Sequence, residues 1–62
     1  MNNNRYVNEK EVSRITGISC STLQKHRFMR KGIPYIKIGK SVFYCLADVY
    51  EYMNRNRISH EW

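Results

Sequence analysis

The 62-residue sequence is short of the features on which enzymes, membrane proteins and secreted scaffolds depend. It contains one proline, three glycines and two cysteines. Cys20 and Cys45 are too few for a disulfide framework, and with His26 and His60 they form neither a CxxC nor an HxxxH pair, so both thiols read as small apolar side chains and no metal is expected. No apolar run approaches the roughly 18 residues that cross a bilayer, and the polar start from Met1 to Arg5 is no signal peptide; a cytoplasmic location is the expectation. Carboxylate pairs, Cys/His dyads and glycine-rich phosphate loops are missing at usable spacing. A chain this short buries only roughly 60% of its unfolded surface, which leaves no room for a deep pocket. An enzyme is therefore the least expected class, and no cofactor or small-molecule ligand is anticipated.

The most informative absence is of one sign of charge. Between Glu11 and Asp48 there is no acidic residue, while Arg14, Lys25, Arg27, Arg30, Lys31, Lys37 and Lys40 all fall in that stretch. The five acids bracket it, and the formal net charge is +6. Segregation of this kind gives a domain one positive face that attracts polyanions in a salt-sensitive way. A merely solvated face is the plain alternative, because a basic run is by itself a weak signal for a partner. With 42% hydrophobic and 13% aromatic residues, the composition suits one folded domain over residues 1–62, with its core between about 6 and 57 and loose ends, better than a disordered basic tail.

Local signals divide this domain. Asn8 can cap a helix over about 9–16, with Glu11 three residues on as in a capping box, Val7 and Val12 as a hydrophobic staple, and Gly17 as the left-handed stop. Ser19 restarts a helix that runs to about residue 30 and is ended by Gly32 and Pro34. Leu23 faces inward there, with His26 and Arg27 on its side at i+3 and i+4; Ser21, Gln24, Lys25 and Phe28 face outward, although Phe28 or Met29 can also turn in to close the end. Tyr35 to Ile38 and Ser41 to Tyr44 then flank Gly39-Lys40, a pair suited to a type II′ hairpin turn, with Ile36 and Ile38 on one face and Lys37 on the other. Leu46, Val49, Tyr50 and Met53 mark a final helix to about Arg57, and Ile58 to Trp62 is a short tail. The expected class is α+β, mostly helical: helix, tight turn, helix, hairpin, helix.

The wording along this order carries a resemblance. Glu9-Lys10-Glu11-Val12, Thr16-Gly17-Ile18-Ser19 and Ser21-Thr22-Leu23 resemble the opening of the excisionase and AlpA family, small winged-helix relatives of the MerR-type DNA-binding domain. The run from Lys31 through Tyr44 is similar to that family's wing, and Leu46-Ala47-Asp48-Val49 to the start of its last helix. The likeness covers residues from about 6 to 56. His26 departs from it by standing where a large aromatic often packs under the wing, and Cys45 by standing where arginine is common. A MerR-type activator would also append a dimerising helix and a ligand domain.

The resemblance implies a winged helix-turn-helix whose second helix enters the major groove of double-stranded DNA. It makes Ser21, Thr22, Gln24 and Lys25 the contacts to base edges or flanking phosphates, and the chemistry agrees, since Gln can pair with adenine, Lys with guanine and a hydroxyl with either base or phosphate. Helix capping is an equal alternative for Thr22. Arg27, Arg30 and Lys31 would neutralise phosphates, and Lys37, Lys40 and Ser41 would belong to the wing, with Lys40 at its tip; protection of an exposed strand edge is the other use of Lys37 and Lys40. A single module makes few contacts, so several copies binding cooperatively are expected. Two roles fit: an excisionase, or recombination directionality factor, of a phage or integrative element that bends attachment-site DNA beside an integrase, and an AlpA-like transcription regulator. A protein-interaction module using the basic face and Trp62 with Tyr50 or Tyr52 is the alternative from another class.

Overall fold

A computed structural model describes residues 5–58. His60 and Trp62, discussed above, lie outside the described residues. Among those residues the chain forms strand β1 (Tyr6–Asn8), helix α1 (Glu9–Thr16), helix α2 (Cys20–Phe28), strands β2 (Ile36–Ile38) and β3 (Ser41–Cys45), and helix α3 (Leu46–Arg55). The strands make one antiparallel sheet in the order β1-β3-β2. The coarse α+β class holds. None of the described helices is long and apolar enough to cross a membrane.

The helix boundaries follow from short-range hydrogen bonds. Asn8 caps α1, its Oδ1 accepting from the Glu11 N–H at 2.9 Å. Glu11 does not reach back to complete the box; its carboxylate takes the Arg14 guanidinium instead. Gly17, at φ 78°, closes the helix by donating to Ser13 O at 2.8 Å. The Thr16 hydroxyl donates to Val12 O at 2.8 Å and accepts from the Ile18 N–H at 3.1 Å, which stiffens the turn into α2. Ser19 caps α2 by accepting from the Thr22 N–H at 3.2 Å.

The far end of α2 differs from expectation. The helix stops at Phe28, and the left-handed residue that ends it is Arg30, at φ 57°, not Gly32. Lys31 N–H donates to His26 O at 2.9 Å and Arg30 N–H to Arg27 O at 3.0 Å, the paired bonds of a Schellman motif in which glycine is the usual occupant of the Arg30 position. Gly32 serves the next turn, at φ 87°, where it lies flat against the His26 ring.

The core draws on every helix and on the sheet. Val12, Leu23, Tyr44 and Val49 are fully enclosed, Ile33 joins them from the α2–β2 connection, and Val7, Ile15, Ile18, Val42 and Tyr52 pack around them. Two details correct the sequence reading. Strand β1 had no signal of its own, yet Val7 pairs with Tyr44 and brings a third strand to the sheet. In α3 the half-buried aromatic is Tyr52, whereas Tyr50 and Met53 are exposed, because the stripe through Leu46 and Val49 continues at i+3 and the helix ends at Arg55, two residues early.

The hairpin turn is as expected: Ile38 pairs with Ser41 across Gly39-Lys40, and φ is positive at Gly39 but not at Lys40, the type II′ pattern. The pairings Val7↔Tyr44 and Lys37↔Val42 put Val7, Val42 and Tyr44 on the face that meets the helices. Ile36 and Ile38 therefore share the outer face with Tyr6 and Phe43, and Ile38 is 65% exposed. Tyr44 wins the inner position because its ring fills the centre of the core while its hydroxyl reaches a polar partner on α2.

Candidate nucleic-acid interface

Outward-facing residues of α2 follow the helical period. Ser21, Gln24, Lys25 and Phe28 are exposed along one side, and Leu23 is buried on the other. Two of the four residues expected to touch bases are also tied to the helix start, since Thr22 Oγ1 accepts from Ser19 Oγ at 2.9 Å and Ser21 Oγ lies 3.3 Å from Ser19 Oγ. The cap itself is the Ser19 hydroxyl, which accepts from the Thr22 N–H, so the Thr22 hydroxyl buttresses it. Gln24 Nε2 donates to Glu9 Oε2 at 2.8 Å. That bond fixes the amide and uses one of its N–H groups, leaving its carbonyl oxygen and second N–H available as one acceptor and one donor. Lys25 carries no ion pair among the described residues.

Arg27, for which the resemblance implies a phosphate contact, is engaged within the fold. Its Nη1 donates to Glu9 Oε1 at 2.9 Å and to the Tyr44 hydroxyl at 2.6 Å, and its guanidinium lies 5.7 Å from the centre of the Tyr35 ring. The Arg27 and Glu9 side chains are only 17% and 22% exposed. Tyr35 and Tyr44 are themselves in tilted contact, with ring centres 6.3 Å apart. One side chain of α2 thereby holds α1, β3 and the segment leading into β2. The cause lies in the helical spacing: Arg27 is four residues from Leu23 and points the same way. Burial alone raises the Glu9 pKa, but hydrogen bonds from Gln24 and Arg27 and the Arg27 charge more than offset it, and the net shift is downward. Burial also pushes the Tyr44 hydroxyl up, against the opposing influence of Arg27, so it stays protonated at neutral pH.

Glu9 is the residue that sequence reasoning missed at this site. It counted as an acid outside the basic stretch and as part of the wording of the resemblance, with no site role, and nothing local announces a partner 18 positions away. His26 is half-buried against Gly32, a packing role, although its Nδ1 has no hydrogen-bond partner.

The hairpin residues complete the surface. Lys37, Lys40 and Ser41 are exposed, and an open cleft of about 610 Å³ between helix and hairpin is lined by Glu9, Lys10, Gln24, Lys40 and Ser41 among others. Gln24 and Lys40, expected on two different contact elements, thus share one concavity. Of the seven cations in the acid-free stretch, Arg14 and Arg27 are in ion pairs. Lys25, Arg30, Lys31, Lys37 and Lys40 have none among the described residues. Comparison of the chain with protein-family models, with curated proteins and with solved structures finds no match.

Arg30 permits a sharp test. A non-glycine residue in the left-handed region costs about 1 kcal/mol relative to glycine. Arg30→Gly should therefore raise stability by about that much, a gain of roughly 4–8 °C in Tm for a domain of this size, measured by thermal melting. An unchanged or lower Tm would contradict the assigned helix end.

Proposed function

We propose that this protein is a winged helix-turn-helix DNA-binding protein that acts as an excisionase, binding attachment-site DNA in several cooperating copies in the cytoplasm and bending it for an integrase. On this reading α2 lies in the major groove and the β2–β3 hairpin is the wing. The observation that carries it is the distribution of cations without ion pairs among the described residues: five of them, Lys25, Arg30, Lys31, Lys37 and Lys40, sit on α2, on the segment just after it and on the hairpin, and Lys40 shares with Gln24 the cleft between helix and hairpin. Those cations hold the phosphates, and Lys40 at the hairpin tip approaches the minor groove or its backbone. Gln24 offers the acceptor and donor that adenine N6 and N7 require, held in place by Glu9. Lys25 suits guanine. Nothing in this function requires a cofactor or a catalytic group.

The test is binding measured against salt on a set of duplexes. With five cations free for phosphate, the slope of log K against log salt should be no steeper than about −4.5, at roughly −0.9 per phosphate neutralised. Gln24→Ala and Lys25→Ala should relax sequence preference, whereas Arg30→Gly should weaken binding to all sequences alike and flatten the slope by about 0.9. Absence of binding to any duplex at low salt overturns the proposal. Excision frequency with the cognate integrase, with and without this protein, then distinguishes the excisionase from an AlpA-like transcription regulator. The rival reading, a module that binds another protein, draws support from the outer sheet face of Tyr6, Ile36, Ile38 and Phe43, and predicts no duplex binding.

A further inference from the structure

Phe28 is the one large apolar side chain on the outward strip of α2. It is 88% exposed, more than any other large hydrophobic residue described, and takes no part in the core. It lies three residues after Lys25, four after Gln24 and seven after Ser21, so it continues the same face by another turn. Lys25, Arg30 and Lys31, all exposed and without ion pairs among the described residues, stand close to it along the chain. An exposed apolar ring on a cation-rich stretch of chain matches a polyanion that displays an apolar group. Duplex DNA is such a ligand, because the major groove presents the thymine C5-methyl as its apolar feature among donors and acceptors.

We infer that Phe28 is a specificity-determining residue that reads thymine by packing against its C5-methyl; this rests on the DNA-binding reading above. Along a helix, the four residues from Gln24 to Phe28 span about 6 Å. With α2 lying along the groove, this is about two base-pair steps at 3.4 Å each, so the adenine read by Gln24 and the methyl read by Phe28 belong to nearby A·T pairs. A cytosine methylated at C5 presents the same group at the same edge of the groove.

The experiment uses the full chain and two 24-bp duplexes, one of alternating A·T sequence and one identical but with every thymidine replaced by deoxyuridine, which removes only the methyls. Fluorescence anisotropy at low salt should show the thymine duplex bound about three- to fourfold more tightly for each methyl in contact. In Phe28→Ala the ratio should fall to near one while the melting temperature stays at the wild-type value, because the ring supports no packing. Phe28→Leu should keep part of the preference. Equal affinity of the wild type for both duplexes, or an unchanged ratio in Phe28→Ala, overturns the inference and leaves the DNA-binding reading standing. Failure to bind either duplex overturns this inference, and failure also on mixed-sequence duplexes at low salt overturns that reading with it.

Discussion

Gly32→Ala should destabilise the protein by about 3 kcal/mol, through two additive causes. At φ 87° any L side chain is strained, by roughly 1–2 kcal/mol. A Cβ there would also stand 2.9 Å from His26 Nδ1 and 3.0 Å from His26 Cβ, closer than side chains pack, and the half-buried imidazole has little room to withdraw. Small domains of this size have only about 3–5 kcal/mol in total from their cores. Gly32→Ala should therefore leave a large unfolded population at 37 °C, visible in urea or thermal melts. The double variant His26→Ala/Gly32→Ala removes the contact with the ring and leaves only the one with the Cβ of residue 26, so coupling between the two positions should appear in a double-mutant cycle. Strictly additive costs would mean that the ring and the glycine do not oppose each other.

Arg27→Ala should be nearly as damaging, at about 2–3 kcal/mol, because it takes the cation from the Glu9 carboxylate, removes the bond to the Tyr44 hydroxyl in a largely buried site and strips a cation from the Tyr35 ring. The same variant separates a structural from a phosphate-binding arginine. If Arg27 acts only within the fold, binding by the protein that remains folded keeps its salt slope; a phosphate contact would flatten it by about 0.9. The pH dependence has a definite sign. The folded Glu9 pKa lies below the ordinary value of 4.5, so the carboxylate stabilises the fold above that pH and its contribution disappears as the pH falls through the folded pKa. Glu9→Gln should lower stability at neutral pH and flatten the acid limb of the pH–stability curve. An unchanged acid limb would place the controlling carboxylate elsewhere.

The parts of this fold legible in the sequence are those set by neighbours within about four residues. Asn8, Gly17, Ser19 and the Gly39-Lys40 turn each depend on one local bond or one allowed dihedral, and each is where its residue type predicts. What was not legible depends on distant partners. Strand β1 exists because Tyr6 to Asn8 find β3 more than thirty residues on, and a three-residue segment carries no periodicity to announce it. The inner face of the hairpin was decided by the bond between Tyr44 and Arg27, so alternation alone could separate Ile36 from Lys37 but not say which side met the helices. Arg27 illustrates the conflict within the candidate site. Helical spacing puts it beside Leu23, the resemblance puts it on a phosphate, and the structure pairs it with Glu9 and Tyr44. Arg30 shows the reverse, a residue occupying a backbone position that its type disfavours, which no propensity argument would choose.

If the protein binds a duplex as proposed, the junction at Arg27 also bears on which partner yields. Because one guanidinium fastens α2 to α1, to β3 and to the approach to β2, the angle between the helix and the hairpin cannot open or close without breaking several bonds together. On the proposed DNA-binding reading, a double helix that engages both elements would then adopt the curvature they dictate. The energy of that distortion depends on the nucleotides being bent, so pyrimidine–purine steps beneath the hairpin would be favoured even where no side chain reaches them.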